Sequence, residues 1–196
     1  MSTYGIAVPK SVVFYKEENN FELYSELSFP CFVKPNNGGS SIGTHKVYDK
    51  EALEIALKDA FKHDKEVIVE EFIKGREFSV GIIKTSEEDL VMPLTEIIVD
   101  TDFFDYKQKY SDNGATEITP ADIDPEMAKE CQAIVKKVFK LLRLKRVARI
   151  DFILQEGMFY LIEVNTIPGM SSKSILPQQA KYAGTSFSGL IEKLGV

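Results

Sequence analysis

Residues 147–165 constrain this fold more than any other stretch of the chain. Two runs rich in Val, Ile, Leu and Phe flank Gln155-Glu156-Gly157. Glycine stands there in the position that favours a left-handed backbone, so the segment reads as a β-hairpin. Inside the apolar runs stand Arg149, Asp151, Glu163 and Asn165. Charged groups in such strands are costly unless paired or bound to an ion. A three-residue loop predicts pairing of Leu154 with Met158, Asp151 with Leu161 and Arg149 with Glu163. Side chains two apart share a face, so the four polar residues fall on one side. Ala148, Ile150, Phe152, Tyr160, Ile162 and Val164 fall on the other, the core side. A two-residue loop would separate Asp151 from Glu163. Two carboxylates and an amide oxygen on one face suit a hard cation such as Mg²⁺. The same residues also read as a structural Arg149–Asp151–Glu163 ion cluster.

The rest of the chain supplies short strands and a few helices. Ser11–Tyr15, residues 31–34, 67–69, 78–84 and 90–99 are rich in β-branched and aromatic residues and read as strands. Residues 70–75 look like a turn or crossover, and residues 21–27 like a short helix. Residues 49–63 carry Ala52, Leu53, Ala56, Leu57, Ala60 and Phe61 on one helical stripe behind Asp49, a natural N-cap. Asp124-Pro125 opens a longer helix whose apolar face includes Met127, Cys131, Ile134, Val135, Val138, Phe139 and Leu142. From Ser171 on the chain reads as helical, with breaks at Pro177 and Gly184. Residues 100–120 mix four aromatics with charges and no clear period, which suggests a lid. Strands and helices do not alternate in βαβ units, so the class is α+β with mostly antiparallel sheets.

Charge narrows the functions. With 24 Lys+Arg against 30 Asp+Glu the formal net charge is −6, which argues against a broad nucleic-acid footprint. No apolar run approaches the roughly 18 residues of a membrane span, and residues 1–10 show no signal-peptide pattern. The only cysteines, Cys31 and Cys131, are 100 positions apart. They form no zinc or redox motif and read as buried small hydrophobes in a reducing cytoplasm.

Two further segments carry possible chemistry. Asn36-Asn37-Gly38-Gly39-Ser40-Ser41-Ile42-Gly43 follows Lys34-Pro35. Glycine amides can approach phosphate oxygens, with a nearby lysine as counter-charge. The Walker pattern fails, because Thr44-His45 stands where Lys and Ser/Thr are needed. Alone, such a loop also reads as a plain surface turn. Thr166-Ile167-Pro168-Gly169-Met170-Ser171-Ser172-Lys173-Ser174 precedes a helix. Its hydroxyls either hold an oxyanion or simply cap the helix.

The order of these segments is more specific than any one of them. Lys34-Pro35 and the Gly/Ser loop come first, then Glu70-Glu71-Phe72-Ile73-Lys74-Gly75-Arg76-Glu77 and Phe104-Asp105-Tyr106-Lys107-Gln108-Lys109-Tyr110. Arg149-Ile150-Asp151 and Glu163-Val164-Asn165-Thr166-Ile167-Pro168-Gly169-Met170 follow. This series resembles the ATP-grasp ligases, and within them the D-alanine–D-alanine ligase family, over essentially the whole chain.

The resemblance implies an ATP-grasp fold of two α+β lobes with a nucleotide between them: residues 1–74 as the central lobe and 75–196 as the C-terminal lobe. Lys34 would hold nucleotide phosphates, with Ser40 and Ser41 in the loop that closes over them. Glu70 and the backbone of Glu71, Phe72 and Ile73 would face adenine, and Glu77 the ribose. Lys109 would reach the γ-phosphate, and Tyr110 would close the lid near Ser40. Asp151, Glu163 and Asn165 would ligate two Mg²⁺ ions, or Mn²⁺. Arg149 and the Gly169 amide would stabilise the oxyanion, and Ser174 with Ile175 would bind the second substrate's carboxylate.

The implied activity is ATP-dependent joining of two D-alanines through an acylphosphate, for peptidoglycan. A D-alanine–D-lactate or other carboxylate–amine ligase is a related alternative, and a non-catalytic nucleotide-binding module a more distant one. The implied partners are D-alanine and ATP, with no nucleic acid or membrane, in a cytoplasmic protein whose full length forms a homodimer. Lys173 stands where many relatives carry histidine. Relatives also place an α/β domain ahead of the segment that begins here near Tyr4. Its absence from these residues implies a chain that binds nucleotide but makes little dipeptide.

Overall fold

The computed structural model describes residues 1–17, 28–39, 41–85, 88–99 and 115–195. The chain divides into two compact units. One is built on Pro9–Ile73; the other comprises Met1–Val8, Lys74–Ile98 and Thr116–Val196.

The first unit is a four-stranded sheet with a helix on one face. Its strands are β1 (Ser11–Tyr15), β2 (Cys31–Pro35), β3 (His45–Val47) and β4 (Glu66–Glu71), ordered β1-β4-β2-β3 with every pair antiparallel. Alternation sends Phe14, Cys31, Val33, Val47, Val67 and Val69 to one side. There they pack against Leu53, Ala56, Leu57 and Ala60 of α1 (Lys50–Ala60). Asp49 caps α1 as the sequence predicts, accepting the Ala52 N–H at 2.8 Å. Strand β4 runs through Glu71, two residues into the expected turn, because Glu70 and Glu71 still pair with β2. The helix expected over residues 21–27 lies outside the described residues.

The second unit is an antiparallel sheet with helices on both faces. Strands β5 (Arg76–Lys84), β6 (Asp89–Val91), β7 (Thr95–Ile98), β8 (Thr116–Ile118), β9 (Val147–Gln155) and β10 (Met158–Asn165) follow the order β10-β9-β5-β7-β8, with β6 on β5. Helix α2 (Pro125–Leu141) lays Cys131, Val135, Val138 and Phe139 against Phe78, Val80, Ile82, Ala148, Ile150 and Phe152. Helices α3 (Ile175–Tyr182) and α4 (Phe187–Lys193) bring Leu176, Ala180 and Leu190 onto Ile83 and Met92 of the opposite face.

Several expectations need correction. The single strand over residues 90–99 is two, separated at Met92-Pro93-Leu94, because proline cannot donate to a ladder. The stretch expected to be irregular as far as residue 120 includes β8, which pairs Glu117 with Ile97; residues 100–114 lie outside the described set. Pro177 does not break α3. It sits in the first turn, where the missing N–H would have had no intrahelical partner.

The hairpin also differs in register. Its loop is the two-residue Glu156-Gly157, with Met158 opposite Gln155 and Leu161 opposite Phe152. Both loop residues have positive φ, 50° and 81°, as the tight hairpin turn requires. Phe159 and Leu161, not Tyr160 and Ile162, therefore face the core. A bulge between Leu161 and Glu163 then absorbs one residue. Asp151 faces Glu163, and Arg149 faces Asn165. The four polar residues share one face after all, through a shorter loop plus a bulge rather than a longer loop.

Candidate functional site

In the first unit, the sheet face opposite α1 carries the polar groups. Lys34 and Glu70 lie on adjacent strands β2 and β4, and their side chains meet at 2.7 Å. Glu70 is only 9% exposed, so the lysine is its charge partner in a partly dry setting. Phe32 lies on the same face opposite Glu70, and its ring packs on that of Phe72 at a centroid distance of 5.9 Å. Lys46 Nζ stands 3.8 Å from the Phe72 centroid. Composition and spacing gave no reason to single out Lys46; its place follows from β3 pairing with β2.

The segment leaving β4 is tied at two points. Glu71 accepts the Lys10 N–H at 2.8 Å, and the Phe72 N–H donates to the Pro30 carbonyl at 3.3 Å. Ile73 is buried. Ahead of the glycine loop, Asp64 accepts the Asn37 backbone N–H at 2.6 Å. Hydrogen bonding from the Asn37 and Glu66 amides holds the Asp64 carboxyl below its usual range. Within the loop Ser41 has a left-handed φ of 58°. Ser40, Lys109 and Tyr110 lie outside the described residues.

In the second unit the hairpin face converges on Asp151, which is 8% exposed. Its Oδ1 accepts Ser79 Oγ–H at 2.6 Å and Arg149 Nε–H at 3.1 Å. Its Oδ2 accepts Arg149 Nη2–H at 2.9 Å and Asn165 Nδ2–H at 3.1 Å. Burial pulls the Arg149 guanidinium down, but the charges of Asp151, Glu163 and Glu117, with the Asp151 hydrogen bonds, outweigh it and leave Arg149 above its ordinary value. Glu163 is exposed at the rim, across from Asp151. Glu77 sits half-buried on β5, opposite Ile153.

The segment after β10 folds on itself. Ser174 precedes α3 but its side chain does not cap it. Its Oγ accepts the Ser171 N–H at 3.1 Å and lies 2.9 Å from Ser171 Oγ. Gly169 lies close by: a Cβ there would sit 2.8 Å from Ser174 Oγ. Ile175 is buried at the helix start.

Sequence reasoning missed Ser79, Glu117 and Gln179. Ser79 and Gln179 are completely buried. A lone hydroxyl in the apolar run Phe78 to Ile83 was the available signal, since buried polar groups need partners. The donors of Asp151, Glu163 and Asn165 are hard oxygens, the chemistry Mg²⁺ takes. Among the described residues no group of three or more His, Cys, Asp or Glu stands together. A cation here would therefore rest on two carboxylates and an amide.

Residues 1–195 match the sequence family described as D-ala D-ala ligase C-terminus. The chain belongs to the D-alanine–D-alanine ligase family. It is 42% identical over 192 residues to the D-alanine–D-alanine ligase of Flavobacterium johnsoniae, covering 97% of this chain and 59% of that one. It is 42% identical over 177 residues to D-alanine–D-alanine ligase B of Clostridium perfringens, covering 90% and 57%. Among solved structures it is similar to the VanG D-Ala:D-Ser ligase from Enterococcus faecalis, with a TM-score of 0.88, 38% identity and coverage of 98% and 57%. It is also similar to the D-alanine–D-alanine ligase from Bacillus anthracis complexed with ATP, with a TM-score of 0.81, 33% identity and coverage of 98% and 61%. The chain thus spans just under three-fifths of the curated ligases it matches. The solved ligases bear out the expected ATP-grasp fold class, α+β with antiparallel sheets.

Proposed function

We propose that this chain is the nucleotide- and metal-binding part of an ATP-dependent ligase that joins two D-alanines into D-alanyl-D-alanine for peptidoglycan. The observation that carries the reading is the convergence of Arg149, Asp151, Glu163 and Asn165 on one face. Family membership and the ATP complex of the Bacillus anthracis relative support it.

The residues divide by role. Lys34 holds phosphate oxygens, with Ser40 and Ser41 in the covering loop and Lys109 reaching the γ-phosphate. Glu70 and the Glu71–Ile73 backbone bind the base, and Glu77 the ribose. Asp151, Glu163 and Asn165 hold two Mg²⁺ ions. Those ions, when bound, neutralise charge on the transferring phosphoryl group. A D-alanine carboxylate oxygen takes the γ-phosphoryl, giving an acylphosphate and ADP. The amine of the second D-alanine attacks the acyl carbon, and phosphate leaves. Arg149 and the Gly169 amide stabilise the oxyanion formed in that attack. Ser174 and Ile175 hold the second carboxylate. Tyr110 closes the lid, which matters because water would hydrolyse the acylphosphate. Such a protein works in the cytoplasm, and its full length forms a homodimer.

One observation favours keeping the second substrate open: a structural relative is a D-Ala:D-Ser ligase. The test is phosphate release from Mg-ATP by the protein carrying this chain, with the product identified by mass. D-Alanine should stimulate release and appear as its dipeptide. Preferential use of D-serine or D-lactate as acceptor would correct the second substrate. Nucleotide binding without D-alanine-dependent turnover would contradict the ligase reading.

A further inference from the structure

Asp151 draws on three partners among the described residues: Arg149, Asn165 and Ser79. Under the ligase reading the first two have other duties. Arg149 serves the oxyanion, and Asn165 offers its own oxygen to the cation. Ser79 has none. Its Oγ is completely buried on β5, directly across from Asp151, and donates to Oδ1 at 2.6 Å. An ionised carboxylate only accepts, so this bond fixes the hydroxyl as donor and aims one carboxylate oxygen.

Ser79 is itself held from behind. Strand β5 loses ladder partners where β6 gives way to β7 around Pro93. The side chain of Gln179, completely buried on α3, fills that gap. Its Oε1 accepts the Gly81 N–H at 3.0 Å, and its Nε2 donates to the Ser79 carbonyl at 2.8 Å and to Thr95 Oγ1 at 3.0 Å. Thr95 Oγ1 in turn lies 2.6 Å from Thr119 Oγ1. Gly81 lets the helix come this close, since a Cβ there would collide with Leu176 Cδ1.

We propose that Ser79 is a positioning residue for the Asp151 carboxylate, and that Gln179 clamps the Ser79 strand to helix α3 so that Asp151 and the Ser174–Ile175 helix start keep a fixed geometry. The proposal rests on the metal-site reading of Asp151. A hydrogen-bonding partner behind a metal ligand typically contributes 10–100-fold to metal affinity.

The test uses the 196-residue chain with Mn²⁺ as the probe, titrated by electron paramagnetic resonance in the presence of a non-hydrolysable ATP analogue. Ser79→Ala should weaken Mn²⁺ binding by about 10–100-fold while leaving metal-free binding of the analogue unchanged. Ser79→Thr, which keeps the hydroxyl, should restore it. Gln179→Met should shift Mn²⁺ affinity in the same direction by a smaller factor. A role in packing alone predicts the reverse order, with Thr worse than Ala in this fully buried position. That order, or an unchanged affinity in Ser79→Ala, would overturn the proposal. Asp151→Asn is the reference: if it too binds Mn²⁺ like the parent chain, the metal-site reading falls first.

Discussion

Arg149 and Asp151 form a forked pair whose side chains are 24% and 12% exposed. Removing the guanidinium would leave a nearly buried carboxylate facing Glu163 with only neutral donors. Arg149→Ala should therefore lower stability by about 1–3 kcal/mol, the cost of losing hydrogen bonds to a buried charged group. Urea unfolding checks this; an unchanged midpoint would mean the pair is incidental to folding. Burial pushes the Cys31 thiol up to about 11 and raises Cys131 well above its ordinary value, with nearby Glu130 adding to the effect there. Thiolate is the reactive form, so both should resist a disulfide reagent at pH 8 in the folded chain and react fully in denaturant. Rapid labelling of either cysteine without denaturant would contradict their burial.

At the scale of elements, glycines separate two kinds of constraint. Gly81 is held by space: a side chain there would strike Leu176, and its Cβ would lie 2.8 Å from Gln179 Oε1. Gly157 is held by conformation, with φ at 81° and open space around it. Overpacking costs typically about 1–3 kcal/mol, so Gly81→Ala should destabilise by that much and also loosen α3. Gly157→Ala should cost about 1–2 kcal/mol from left-handed strain alone. Hydrogen exchange separates them: amides of α3 should exchange faster in Gly81→Ala and not in Gly157→Ala. Equal protection of α3 in both would contradict a docking role for Gly81.

Caps are local, so Asp49 and Asp124 are readable beside their helices. The shared face of Arg149, Asp151, Glu163 and Asn165 is readable from alternation, though its route is not. A two-residue loop and a bulge produce the same face as a three-residue loop, and nothing local distinguishes them. The partners of Ser79 and Gln179 stay hidden because they lie 72 positions away for Ser79 and 84 to 100 for Gln179. Such partners follow only from strand order.

At the scale of the whole molecule, the chain has two units, each with its own apolar core. The candidate phosphate lysine belongs to one and the candidate metal carboxylates to the other. Under the proposed ligase reading, substitutions at Lys34 in one unit and at Asp151 or Glu163 in the other change the same nucleotide binding. The most direct measurement is calorimetric titration of the chain with a non-hydrolysable ATP analogue, with and without Mg²⁺. Three variants stand beside it: Lys34→Ala, Asp151→Asn and Glu163→Gln. The account predicts that Mg²⁺ strengthens binding, that both carboxylate variants abolish that gain while remaining folded, and that Lys34→Ala weakens binding at either metal level. An affinity indifferent to Mg²⁺, or a gain that survives both carboxylate substitutions, would contradict it.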